Sequence, residues 1–241
     1  MPSLKTKTRR KSVKKTTSKN STTAPARGSQ KLLFWPIVAL TFLLWVAYRS
    51  LFDFPVWFDE TLGKAIFFAL PVWFYVTMTR SQQIVDAFSI AKIKTGLLQG
   101  IAYGGMFGFA ASLIALFSRG GQVQSVLLFS SDTFWWEFFL ALMTGFWETL
   151  FFFAFVMTII QIIYKKWPLI NQVLLTSLVF IVFHVPNLVQ LFSGRFLLGY
   201  ILLIWAFSVG QAFIYARRQN AYALVLSHAI WGMVLLIHVQ N

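Results

Sequence analysis

Apolar runs long enough to cross a bilayer recur along most of this chain. A helical span needs about 20 residues at 1.5 Å rise each. Seven such runs occur, at roughly 32–48, 61–79, 96–117, 134–164, 168–191, 196–215 and 222–240. Charged residues make up 12% of the 241 positions, about half the ~25% of a soluble domain. The mean hydropathy of +0.68 excludes an ordinary soluble globule. The expected fold is therefore an all-α membrane protein, a polytopic bundle of about seven transmembrane helices. The fourth run is long, which implies tilt or an interfacial start near Trp135 and Trp136. The segment 50–60, with acids among aromatics, reads as an interfacial loop.

The net charge of +14 is concentrated at one end. Residues 1–31 hold ten Lys/Arg and no acid, in a Ser/Thr/Lys-rich stretch that cannot bury a core. This reads as a disordered basic cytoplasmic tail that fixes orientation. Its sharper reading is a patch for anionic lipid or RNA, at ~1 kcal/mol per basic residue near an anionic bilayer, and of the two the lipid is the expected partner. Nucleic acid is not expected as a partner. With the tail inside, 17 Lys/Arg fall on the inner side and 4 on the outer. The positive-inside rule then gives an N-in, C-out topology. The protein is expected in the plasma (cell) membrane with a cytoplasmic N-terminus. The helices and interfacial loop of residues 32–83 precede a core at 84–241.

Packing leaves its own mark. Gly96, Gly100, Gly104 and Gly108 recur every four residues, so one helix face offers bare backbone to a neighbour. This is read as packing, with no chemistry assigned.

The chain has no cysteine, which excludes disulfides and thiol chemistry, and only three histidines. An ionisable group at mid-bilayer costs ~2.5–3.5 kcal/mol on insertion scales and is a functional candidate by default. Glu148 lies 14 residues into the fourth run and is the one acid with long apolar sequence on both sides. Glu137 and Thr144 share its helical face, and Glu137 reads as a boundary charge. His184 shares a face with Ser177, Phe180 and Asn187, and Pro186 is expected to kink the helix beyond it. His228 follows Ser227 early in the last run. His238 reads as interfacial.

Depth arithmetic puts Glu148 and His184 level, each ~25 Å from the inner edge. His228 falls ~10 Å short, so its meeting with them needs tilt, reach or a sunken loop at Arg217-Arg218. A carboxylate with two imidazoles supports two chemistries. The set could hold a divalent metal such as zinc with an open position for water. Alternatively, the carboxylate deprotonates water directly while an imidazole orients it or stabilises the oxyanion.

These residues resemble the CPBP intramembrane proteases, which include the type II CAAX prenyl endopeptidases and bacteriocin-immunity relatives. The resemblance covers residues 84–237. The family's Glu-Glu-x-x-x-Arg motif is similar to the string Glu148-Thr149-Leu150-Phe151-Phe152-Phe153. Its Phe-x-x-x-His motif matches Phe180 to His184, ending in His-x-Pro-Asn at Asn187. Its His-x-x-x-Asn motif corresponds to His228 through Gly232. The departures are Thr149 for the second Glu, Phe153 for the Arg and Gly232 for the Asn. The resemblance implies an intramembrane endopeptidase acting on a membrane-associated peptide or protein. It implies Glu148 as base, His184 as water-orienting partner and His228 as oxyanion donor. The departures keep a second reading in play, a catalytically inactive relative that binds a peptide or serves as an immunity or scaffold factor. The ionisable residues alone would also suit a small transporter with a Glu/His relay. Oligomeric state is not legible.

Overall fold

The computed structural model describes residues 27–118 and 133–239. The basic tail up to residue 26 and Arg119 lie outside the described residues, as does the side chain of His238. The described chain is helical throughout, without strands, and forms seven main helices. They are α1 (Arg27–Leu51), α2 (Val56–Thr79), α3 (Ile93–Ser118), α4 (Phe134–Ile163), α5 (Leu169–Leu191), α6 (Gly194–Arg218) and α7 (Ala221–Val239). The first six contain stretches long and apolar enough to cross a membrane. α7 is apolar through Val234. The expected bundle of about seven membrane helices is borne out.

α4 is the central helix. Phe151, Phe152, Phe153, Ala154, Phe155, Val156 and Met157 are all fully buried, so this stretch is enclosed on every side. A helix that is apolar all round has no preferred outer face and belongs in the middle of a bundle. Residues Thr149–Met157 wind more widely than an α-helix, in i→i+5 fashion. Such a widened turn rotates the faces on either side of it and is common beside functional residues. At the other end, Trp135 and Trp136 are exposed, in keeping with an interfacial start.

The glycine stripe does what its spacing implies. A Cβ on Gly96 would lie 2.6 Å from Tyr222 Cβ, and one on Gly100 2.7 Å from Leu226 Cβ. Gly104 and Gly108 meet Ile230 and Val234 in the same way. Each α3 glycine thus receives the α7 residue one turn further along. Gly145 does the same for α4, where a Cβ would lie 2.8 Å from Val225 O. α7 is held between two helices that approach it without side chains in the way.

The segment read as an interfacial loop is partly helical. α2 begins at Val56, and Asp59 is buried on its first turns, where Tyr48 and Arg49 of α1 both donate to its carboxylate. Pairing lets an acid enter the helix that the sequence alone places outside it. α5 continues through Pro186 to Leu191.

Candidate active site

Glu148 ends the regular part of α4, where the widened turn begins. It is 3% exposed. Oε2 lies 3.4 Å from His184 Nε2 and 3.4 Å from His228 Nε2. The three residues singled out from the sequence therefore converge on one carboxylate oxygen.

Local structure orients each ring. His184 Nδ1 lies 2.8 Å from Phe180 O, one turn back on α5. A carbonyl only accepts, so Nδ1 carries the proton and Nε2 faces the carboxylate. The Phe180 ring stacks on the imidazole, with centroids 4.1 Å apart. The Phe-x-x-x-His spacing thus supplies both a backbone acceptor and a flat apolar wall. His228 is 8% exposed and stands edge-on to Phe207, with ring centroids 5.1 Å apart. Its neighbour Ser227 accepts from Gln211 Nε2 at 2.9 Å, which ties α7 to α6 one residue before the imidazole.

The turn that leads into α7 is pinned to the segment between α2 and α3. Asn220 is buried between α6 and α7 and donates from Nδ2 to Lys92 O at 3.0 Å. Ala221 N donates to Ala87 O at 3.1 Å. Lys92 in turn donates from Nζ to Gln219 O at 2.8 Å. The α6–α7 connection is thereby tied to the segment between α2 and α3, and the His228 ring reaches Glu148 despite the ~10 Å mismatch counted from Arg218.

One member of the site was not anticipated. Lys64, on α2, donates from Nζ to Glu148 Oε1 at 2.7 Å and to Glu60 Oε2 at 2.5 Å. It is 6% exposed. Glu60 also accepts from Thr144, which joins the Glu148 face of α4 to the cluster. The cation offsets the cost of burying Glu148 as a carboxylate. In the sequence, Lys64 looks like a basic residue snorkelling at the start of a span. The spacing of Glu60 and Lys64, four apart on a helix, was the available signal.

The residues at the departing motif positions have clear surroundings. Phe153 is fully buried among aromatics and packs on Phe180 at 5.8 Å between centroids. Thr149 is fully buried beside Glu148. Gly232 lines a cavity of about 570 Å³ together with His228, Lys64, Glu60 and Thr144. Glu137 stands at the same cavity, on the first turn of α4, and accepts from Thr133 at 3.0 Å.

Both imidazole Nε2 atoms approach one carboxylate oxygen, and an ammonium takes the other. Among the described residues no three His, Asp or Glu side chains are arranged to hold a metal ion. As arranged, these residues do not fit zinc.

Residues 130–234 match the family model for Type II CAAX prenyl endopeptidase Rce1-like proteins. The match contains Glu148, His184 and His228, and it bears out the resemblance to the CPBP intramembrane proteases. No curated protein and no solved structure matches the chain.

Proposed function

We propose that this CPBP-like membrane protein is an intramembrane endopeptidase that hydrolyses a peptide bond in a membrane-associated peptide or protein. The observation that carries the reading is the convergence of His184 and His228, from two other helices, on Glu148 Oε2 beside a cavity. Water held between Glu148 and His184 Nε2 loses a proton to the carboxylate as its oxygen bonds to the scissile carbonyl carbon. The carbonyl π pair moves onto its oxygen. His228, as the Nε2–H tautomer, donates to that oxyanion. Collapse breaks the C–N bond, and Glu148 returns the proton to the departing nitrogen. No step passes through a metal. The basic tail is proposed to lie on the cytoplasmic face against anionic lipid of the plasma membrane, with the C-terminus outside.

One observation favours a second reading, a catalytically inactive peptide-binding relative. Lys64 pairs with Glu148 as tightly as a structural salt bridge would. Cleavage of lipid-anchored peptides by the purified full chain, compared with Glu148→Gln, decides between the two. The endopeptidase reading expects turnover in the wild type and its loss in the variant. No turnover in the wild type, or equal turnover in both, overturns it.

A further inference from the structure

We propose that Lys64 is a catalytic residue of the same site, with its ammonium serving as a second donor to the oxyanion. The inference rests on the endopeptidase reading and deepens it.

An ammonium carries three protons. Among the described residues Lys64 Nζ has two hydrogen-bond acceptors, Glu148 Oε1 and Glu60 Oε2. Tetrahedral geometry sends the third proton away from both. Lys64 is buried, yet it lines the 570 Å³ cavity that His228 also lines. The two groups contact opposite oxygens of one carboxylate, Lys64 at Oε1 and His228 at Oε2. A carbonyl presented to water at Glu148 therefore develops its negative charge between an imidazole N–H and an ammonium N–H. The two bonds to Glu60 and Glu148 hold Nζ in place, so little reorganisation accompanies the charge as it forms.

The α7 wall of the cavity adds no side-chain donor beyond His228. Gly232 stands one turn beyond His228 on α7 and lines the same space. It brings no side-chain donor. A Cβ there would meet only Ala141 Cβ, at 3.9 Å, an ordinary contact. The Cβ of an asparagine introduced at Gly232 is therefore accommodated at the wall of the cavity.

That room makes the test. The wild type, Glu148→Gln, Lys64→Met, Gly232→Asn and Lys64→Met/Gly232→Asn are compared as full chains in proteoliposomes. The probes are internally quenched peptides on a single acyl anchor, and thermal unfolding is followed in parallel. Lys64→Met is expected to lower kcat by about 10²–10³-fold with KM changed little. Adding Gly232→Asn is expected to recover about tenfold or more of that loss, while the same substitution alone moves the wild type far less. A purely structural salt bridge would not respond this way, since an amide on α7 restores no charge beside Glu148. Where Lys64→Met fails to fold, Lys64→Gln takes its place. Wild-type kcat in the Lys64 variant overturns the inference and leaves the endopeptidase standing. So does a loss of kcat that Gly232→Asn leaves untouched. Absence of Glu148-dependent cleavage overturns both.

Discussion

Phe180 and His184 are bound to each other twice, through stacked rings 4.1 Å apart and through a 2.8 Å bond from the imidazole Nδ1 to the Phe180 carbonyl. The two contacts come from different parts of Phe180, so they separate experimentally. Phe180→Leu keeps the carbonyl and loses only the flat wall. It is expected to lower kcat by about 3–10-fold, against the ~10²–10⁴-fold loss expected for His184→Ala. Steady-state kinetics on one cleaved peptide measure both, and equal losses would mean that stacking, not the imidazole, is what the site needs.

In the proposed mechanism His228 acts on the oxyanion rather than on the water. His228→Ala is expected to lower kcat by ~10²–10³-fold while KM stays within a few-fold. A rise in KM with kcat unchanged would show instead that the ring only binds substrate.

The absence of a metal-binding arrangement around Glu148 predicts indifference to chelators. Prolonged treatment with EDTA or 1,10-phenanthroline should leave turnover unchanged. Loss of activity that returns on adding zinc would reverse the assignment of the base.

Two glycines separate packing from propensity. Gly145→Ala places a methyl 2.8 Å from the Val225 carbonyl, on rigid backbone. It should cost ~1–3 kcal/mol in unfolding free energy and reduce activity with it. Gly105→Ala has nothing within 4 Å of the new methyl. It should be neutral, or stabilising by up to ~1 kcal/mol through helix propensity. Unfolding of both variants in detergent checks the pair.

The turn before α7 is testable at Asn220. Its side chain donates to Lys92 O and accepts from Tyr222 N at 3.1 Å, capping the first turn of α7. Asn220→Ala should cost ~1 kcal/mol. It should also lower kcat, because it loosens the start of the helix that carries His228. Unchanged kcat with reduced stability would separate the cap from the site.

The amino-acid order carried much of this arrangement. Glu148, His184 and His228 stand out because ionisable groups in long apolar runs are costly and few. The stripe at Gly96, Gly100, Gly104 and Gly108 announces a close helix contact. It does not say which helix arrives, since pairing with Tyr222, Leu226 and Ile230 spans more than 120 residues. Lys64 was missed for a related reason. Its meaning depends on Glu148, 84 residues away, and near a span boundary a lysine is usually solvated. The bonds that fix the start of α7 were similarly illegible, because they run from Asn220 and Ala221 back to Lys92 and Ala87.

The glycine contacts of α7 also settle which side of the bundle is shut. With α3 pressed against its backbone along four successive turns, no doorway opens there. The walls around Glu60, Lys64 and Gly232 are built by α2, α4, α5, α6 and α7, and α3 contributes none. On the endopeptidase reading, a peptide arriving from the lipid reaches this cavity by a flank that α3 does not line. Crosslinks pinning α2 to α6 would bar its passage, while crosslinks between α3 and α7 would not.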